Sequence, residues 1–549
     1  MSTFGGLNTA FSGLSAANQG LNVTGQNIAN VGTDGYTRQR IETSSVAAPN
    51  RTGLFTTPPT PGNGVSVNTI ARLGDVFAEN RVLSTAADAG YTYVRADAMT
   101  DLELSLNEPG PNGVSKALQA FWSSWQDLSN SMEQSAPASV LLAEANTLTK
   151  LVNLGYTALE DQWADHRGRL DSMATDLNAA PSQLGELNAQ IRKTLNSGGT
   201  ANELLDQRNL LATEIADLAG GTVSTRPDGM VDVYIGGNAI VQGDQVYKVN
   251  AAGARSLEGA ATDPARLEWD DRAITAISLT GGQMAGTVSI LAAADTSGTG
   301  GAIAEAAASY NAFATKLGND VNTLHRQGAT GGGTTGLDFF SFTAGLPAAK
   351  AISVLPTDVS GIAAANPGAG DYDGSHARKI SLIGTGNGSP DMMWNDFVTS
   401  IGVASRAATQ SGTLAENSHH GAVSQLSSRS EVSLDEETVN LVQYQQAYQA
   451  NARVMSAIDE MLDTLINRTG IKPEDVSLVI PHQANLRIIN AVAQRLGIPQ
   501  DRVFINLQKY GNTSGAACAI ALDEAVKTGR ARKGDIVPVS YTHLRAHET

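Results

Sequence analysis

The chain has 549 residues and a formal net charge of −17 at pH 7, which argues against a nucleic-acid or anionic-membrane partner. Its length accommodates three or four domains, and no apolar run of about 18 residues predicts a membrane span. The one cysteine, Cys518, excludes disulfides and cysteine-based metal sites from everything before it.

The first predicted element is a helix with one apolar stripe, here called the N-terminal seam. Its residues recur in steps of three and four: Phe4, Leu7, Phe11, Leu14, Asn18, Leu21, Gly25 and Ile28. This spacing is typical of a heptad seam, in which Asn18 and Gly25 would set register and allow a close neighbour. An ordinary amphipathic helix in a globular core explains the spacing about equally well. The turn formers over 27–36 end the helix.

The next stretch divides into a linker and a helical region. Residues 37–75 are polar and contain prolines, so they are expected to form an extended linker. Over 76–219 the apolar residues have helical spacing, including a run from Leu148 to Leu177 that resumes after Pro181. The pattern predicts a bundle of long helices.

At Thr222 the apolar period changes from about 3.6 residues to two. Residues 222–235, with a turn at Pro227-Asp228-Gly229, predict a β-meander, and further strands are expected near 276–279 and 352–355. A helix is predicted over 302–325, and helical spacing returns over 395–430.

The last long predicted helix begins with Ser433 and Glu436, which form an S-x-x-E capping box. Its apolar stripe, the C-terminal seam, consists of Leu441, Tyr444, Tyr448, Asn451, Met455, Ile458, Leu462 and Leu465. Because one seam lies near each end of a long chain, the two terminal helices are predicted to pair as a coiled coil.

Chemical motifs are weak before residue 469. The glycine runs at 298–301 and 331–333 lack the Gly-Lys-Ser/Thr ending of a phosphate loop and are interpreted as flexible loops. His419 and His420 have no ligand set around them, so a solvated helix face is favoured and no metal site is expected. His166 is interpreted as a seam residue. No nucleophile, base and orienting group form a defensible set.

Two of these stretches resemble the bacterial flagellar rod, hook and hook-associated proteins. The N-terminal match runs from Asn27 and Asn30 to Gly35 and Tyr36, and ends at Arg38. The C-terminal match has Leu-Asp-Glu-Glu over 434–437, with Asp435 and Glu436, and Tyr-Gln-Gln-Ala-Tyr-Gln-Ala over 444–450, with Gln446. A third match is Glu203–Leu211. The form Tyr-Gln-Gln-Ala-Tyr favours the hook–filament junction class over the rod and hook classes.

The resemblance implies a structural subunit of the flagellum that joins hook to filament, with no cofactor and no enzymatic activity. It implies as partners copies of itself, the hook protein, the second hook-associated junction protein and an export chaperone. It also implies type III export to the extracellular flagellum, although the N-terminus lacks a secretory signal pattern. The residues expected to make the assembly contacts are Leu7, Phe11, Leu14, Leu21, Ile28, Leu441, Tyr444, Tyr448, Met455, Ile458, Leu462 and Leu465.

The sequence changes character after Arg468. Pro-His-Gln-Ala-Asn at 481–485 and Tyr-Gly-Asn-Thr-Ser at 510–514 resemble the C-terminal part of the β-ketoacyl-acyl-carrier-protein synthase III family, a thiolase fold. The resemblance places His482 and Asn512 on two catalytic positions, but the nucleophilic cysteine belongs to a half that this chain lacks. Cys518 is interpreted as a packing residue. An acyltransferase is therefore the alternative function, judged incomplete.

The predicted fold is mainly α, with a β-rich insert and a C-terminal α/β fragment of a thiolase-like fold. The expected divisions are an assembly segment over 1–48, a helical bundle over 49–221, a β-rich inserted domain over 222–394, the return of the bundle over 395–432, the assembly helix over 433–468, the partial synthase segment over 469–538 and a foreign tail over 539–549. The join at 469 is either a misassembled reading frame, the simpler explanation, or an evolved fusion. A genomic read across codons 466–472 distinguishes the two.

Overall fold

The computed structural model describes residues 3–47, 62–271, 276–470, 472–483, 486–495, 497–511 and 516–540. Its helices are α1 (Thr3–Ala29), α2 (Val76–Ser105), α3 (Val114–Asn130), α4 (Ser135–Asn196), α5 (Asn202–Ala219), α6 (Gly282–Leu291), α7 (Ala302–His325), α8 (Ala348–Ala351), α9 (Ser375–Ser381), α10 (Pro390–Ser430), α11 (Leu434–Thr469), α12 (Leu486–Arg495), α13 (Leu507–Tyr510) and α14 (Ala517–Lys527). Its strands are β1 (Gln39–Ser45), β2 (Val65–Arg72), β3 (Thr222–Thr225), β4 (Val231–Ile235), β5 (Asn238–Gln242), β6 (Gln245–Val246), β7 (Val249–Ala252), β8 (Arg266–Trp269), β9 (Phe340–Phe342), β10 (Ile352–Val354), β11 (Ile480–Pro481) and β12 (Val539–Ser540).

The chain divides into two compact units, one formed by residues 1–73 with 431–549 and the other by residues 74–430. The predicted mainly helical fold with smaller sheets is confirmed. None of the helices in the described ranges combines the length and apolarity that a bilayer crossing needs.

The unit of residues 74–430 is built along α4, a helix of 62 residues. Apolar residues in steps of three and four are buried along it, and its seam includes Trp163 and the buried His166. Pro181 lies inside α4 and does not end it, so the helical spacing that resumes after Pro181 belongs to the same helix. Aromatic side chains of other elements fill the core beside α4; Phe121, Trp125, Phe339 and Phe340 are all fully buried.

The strands of this unit form small antiparallel sheets. β3, β4, β5 and β6 pair in sequence order, which matches the predicted meander, while β7 pairs with β8 and β9 with β10. The described part of residues 222–394 also contains α6 to α9 and the start of α10, so helices share this region with the sheets.

A neutral histidine joins three segments in the same unit. His325 at the end of α7 is fully buried. Its Nδ1 donates to the Leu337 carbonyl at 2.7 Å, and its Nε2 accepts from the Ala363 amide at 2.9 Å. Burial lowers the pKa of His325, and protonation would remove the acceptor that the Ala363 amide needs.

The prediction of an extended linker over 37–75 is wrong at both ends of that range. β1 and β2 form an antiparallel hairpin there, with Ile41 opposite Ile70. The β-branched residues of the two strands explain the pairing, because they pack well on a pleated surface. The Pro-rich part of this stretch up to residue 61 lies outside the described residues.

The segment after α11 folds as a small α/β layer. Val479 bridges Val503, and β11 pairs with β12; both pairings are parallel. Leu478 and Ile480 are buried against Ala521 of α14, whereas Val479 packs with the cluster that contains Ile489 of α12. The alternation of side chains along one strand thus places a helix on each face.

Candidate functional site

The two terminal helices run antiparallel along each other, in a register set by glycines. A Cβ built on Gly6 would meet Ile458, one on Gly13 would meet Asn451, and one on Gly20 would meet Tyr444. The next step of seven residues brings Asn27 to Glu437, where the side chains are hydrogen bonded. The repeat of seven on both helices keeps the same faces in contact along their length.

Gly13 and Gly20 leave room for the facing side chains of α11, because the helices are close there. A Cβ on Gly20 would lie 2.5 Å from the Tyr444 ring, and one on Gly13 would lie 2.6 Å from Oδ1 of Asn451. The small residues Ala10 and Ala17 are also buried on α1. The line was missed in the sequence because glycine weakens a helix, although its period of seven, ending at Asn27, was visible.

The structure places the N-terminal seam beside this line. Leu7, Leu14, Leu21 and Ile28 are partly buried, whereas Phe11 is 56% exposed. Asn18 and Gly25, expected to set register, are exposed, and a Cβ on Gly25 would touch nothing within 4 Å.

The C-terminal seam faces α1 more directly. Leu441, Tyr444 and Met455 are partly buried and Ile458 is buried, while Tyr448 is exposed. The side chains of Leu462 and Leu465 lie outside the described part of the structure.

Asn27 is the centre of a buried network at the end of α1. Its amide nitrogen donates to the Gln39 carbonyl at 2.9 Å and to Glu437 Oε2 at 3.1 Å. Its amide oxygen accepts from the Tyr36 hydroxyl at 2.9 Å and from the Gln39 amide at 3.0 Å. Both amide hydrogens and both oxygen lone pairs are therefore used, so Asn27 is fully hydrogen bonded although it is only 1% exposed.

Arg38 joins the same network from the start of the hairpin. Its Nε donates to Glu437 Oε1 at 2.7 Å, and its Nη1 donates to Glu436. Burial opposes the charge of Arg38, but the hydrogen bond to Glu436 and the charge of Glu437 outweigh it, so the pKa of Arg38 is raised. Burial and the charge of Glu437 also raise the pKa of the Tyr444 hydroxyl.

This arrangement uses some signature residues and leaves others at the surface. The amide of Asn30 donates to the Gln26 carbonyl at 2.9 Å, and Gly35 turns the chain with φ +74°. Asp435 and Gln446 are exposed on α11. Half of the expected capping box is present, because the Ser433 hydroxyl oxygen accepts from the Glu436 amide at 3.5 Å, while the Glu436 carboxylate binds Arg38.

The chemistry suggested for the C-terminal segment is only partly described. His482 is partly buried, which lowers its pKa, and Asn512 lies outside the described residues. Cys518 on α14 is buried, and burial raises the pKa of its thiol. On α10, His419 lies 3.2 Å from the Thr85 hydroxyl and His420 pairs with Glu416. Among the described residues no group of three His, Cys, Asp or Glu side chains is placed to hold a metal ion.

Comparison with protein families gives four matches along the chain. The flagella basal body rod protein family matches residues 7–37, and the flagellar basal body rod FlgEFG protein C-terminal family matches 423–468. The flagellar hook-associated protein FlgK helical domain matches 99–340. The C-terminal domain of 3-oxoacyl-[acyl-carrier-protein] synthase III matches 466–541.

Individual proteins agree with this division. Flagellar hook-associated protein 1 of Bacillus subtilis is 29% identical over 505 residues, which cover 86% of this chain and 99% of that protein. The flagellar hook junction protein FlgK of Burkholderia pseudomallei has a similar fold, with a TM-score of 0.54 at 14% identity over 63% of this chain and 99% of that one. β-Ketoacyl-[acyl-carrier-protein] synthase III of Aquifex aeolicus is 54% identical over 81 residues, 15% of this chain and 26% of the enzyme. The chain thus spans about a quarter of that enzyme. It is homologous to hook-associated protein 1 over most of its length, with a synthase-like C-terminal segment.

Proposed function

We propose that this chain, a homologue of flagellar hook-associated protein 1, is a structural subunit of the hook–filament junction that assembles through its paired terminal helices. The homology supports a flagellar structural role. The observation that carries the finer proposal is the network of Asn27, Arg38 and Glu437. It fixes the end of α1 against the start of α11, so that α1 and α11 act as one two-helix element.

The proposed mechanism is assembly, in which no covalent bond is made or broken. The α1/α11 pairs of neighbouring copies pack together. The proposed partners are further copies, the hook protein and the second hook-associated junction protein, with an export chaperone before assembly. Type III export would deliver the chain to the extracellular flagellum.

We propose no enzymatic role for the synthase-like segment. His482 has one of the two catalytic positions that the family resemblance implies, but the chain spans only 26% of the related enzyme. The buried Cys518 thiol is a poor replacement for the missing nucleophile, because a raised pKa leaves less thiolate. Condensation of acetyl-CoA with malonyl carrier protein is therefore expected to be absent. Turnover that His482→Ala abolishes would establish the alternative function.

Complementation tests the proposal. Residues 1–468 should restore filaments to cells that lack the junction protein, and should fail in cells that lack hook or rod protein. Restoration in the hook or rod mutant alone would assign the chain to that class instead. The full chain should restore filaments poorly, because the synthase-like segment extends from the end of α11. Normal incorporation of the full chain would refute this expectation.

A further inference from the structure

Two polar atoms on α4 are buried and have no hydrogen-bond partner in the described part of the protein. They are Oε1 of Gln162 and Nδ1 of His166. The His166 side chain is 2% exposed, so bulk water does not solvate it. Native proteins pair nearly all of their buried polar atoms, because an unpaired one has lost its hydration without replacement. These two atoms therefore call for a partner other than the described side chains and backbone.

Both side chains face the same neighbouring helix. Gln162 and His166 are four residues apart, which places them one turn apart on one face of α4. The Gln162 amide nitrogen donates to the Ala98 carbonyl of α2 at 3.0 Å. The charges that act on His166 include those of Asp97 and Asp101, which also belong to α2. The two unpaired atoms therefore lie next to each other between α4 and α2.

The hydrogen-bonding capacity of the two atoms defines the chemistry of the partner. The Ala98 carbonyl fixes the orientation of the Gln162 amide, because turning the amide over would point Oε1 at another oxygen. Since Oε1 can only accept, the partner must donate a hydrogen bond to it. Burial lowers the pKa of His166, so its ring is neutral, and Nδ1 accepts or donates according to the tautomer.

The surroundings limit the partner to a small, uncharged molecule. Ala98 of α2 and Trp163 of α4, which adjoin the two polar side chains, are at most 1% exposed. Arg169, three residues after His166, pairs with Asp97 of α2 at 3.0 Å, so an ion pair joins the two helices next to the unpaired atoms. One amide oxygen and one imidazole nitrogen are too few ligands for a metal ion.

We propose that one water molecule binds between α2 and α4, where it donates to Oε1 of Gln162 and completes the hydrogen bonding of Nδ1 of His166. Water is the smallest molecule that donates to the first atom and either donates to or accepts from the second. Buried waters typically bind to polar groups that are otherwise unpaired. The water extends the hydrogen bond between Ala98 and Gln162 into a polar chain that reaches His166 inside an otherwise apolar seam.

Magnetic relaxation dispersion of water oxygen-17 tests the site in solutions of the full chain, because it counts the waters that stay bound longer than the protein takes to rotate. The double variant Gln162→Met/His166→Phe removes both polar atoms at similar side-chain volume. It should lose one long-lived water relative to the unaltered chain. The matched control Gln183→Met, at an exposed position on the same helix, should lose none. An unchanged count in the double variant would overturn the inference.

A crystal structure of the unaltered full chain supplies a second readout that needs no substitution. We expect a peak of electron density about 2.7–3.2 Å from both Oε1 of Gln162 and Nδ1 of His166, which is the ordinary hydrogen-bond range. A direct contact between these two atoms, without such a peak, would replace the water by a side-chain hydrogen bond and overturn the inference. Two separated atoms with no density between them would overturn it as well.

Discussion

Replacing Glu437 by alanine should detach α1 from α11 locally. The carboxylate is 1% exposed and receives hydrogen bonds from Arg38 and Asn27, so its removal breaks a buried ion pair. Breaking such a pair typically costs about 3–5 kcal/mol. In the variant, Arg38 retains its ion pair with Glu436 and Asn27 retains its hydrogen bond to the Gln39 carbonyl. We therefore expect a smaller loss, of about 2–4 kcal/mol, in the free energy of local opening.

Amide hydrogen exchange of the full chain measures this loss. Peptides from α1 should exchange about 30- to 900-fold faster in Glu437→Ala, which is the same energy expressed as a rate ratio, while peptides from α4 should not change. The matched variant Glu436→Ala removes a carboxylate whose side chain is 63% exposed and should cost at most about 1 kcal/mol. Equal acceleration of α1 by both variants would refute the assignment of Glu437 as the buried anchor.

Three further predictions concern other parts of the chain. Gly20→Ala should destabilise the α1/α11 pair by about 1–3 kcal/mol, because its Cβ would overlap Tyr444. Gly25→Ala, in open space, should instead stabilise α1 by about 0.5–1 kcal/mol. Amide exchange of α1 measures both changes, and a change in stability of the same sign in both variants would contradict the register. The free energy of unfolding should decrease as the pH falls below about 6.5, because His325 binds a proton in the unfolded chain but, with its lowered pKa, not when it is buried in the folded one. Denaturant titrations at several pH values measure how the free energy of unfolding depends on pH. A free energy that stays constant over pH 5–7 would contradict the prediction. Cys518 should react with iodoacetamide only after denaturant is added, as mass spectrometry would show, and rapid labelling of the native chain would disprove its burial.

The sequence predicts much of the fold because its periodicities are long and clear. The helix predicted over 302–325 is α7, and the meander expected from Thr222 is the four-stranded sheet. A proline usually interrupts a helix, but α4 continues through Pro181, and the apolar stripe that resumes after it belongs to the same helix. The hairpin of β1 and β2 was hidden by the polar, Pro-containing segment that separates its strands.

The candidate site was less accessible from the sequence. Apolar residues at helical spacing predict that Leu7, Leu14 and Leu21 make the contact between the helices, because burial of apolar side chains normally stabilises such a contact. The structure brings the glycine line against α11, where the absence of a side chain allows close approach. The buried hydrogen bond between Asn27 and Glu437 joins positions 410 residues apart, and no local sequence pattern connects them.

Binding of purified residues 1–468, without the synthase-like segment, to the ends of isolated hooks tests the central claim most directly. With gold-labelled protein viewed by electron microscopy, we expect label at the distal tips of hooks. A chain that remains monomeric and leaves hook ends unlabelled would contradict the proposal that its paired terminal helices exist to assemble.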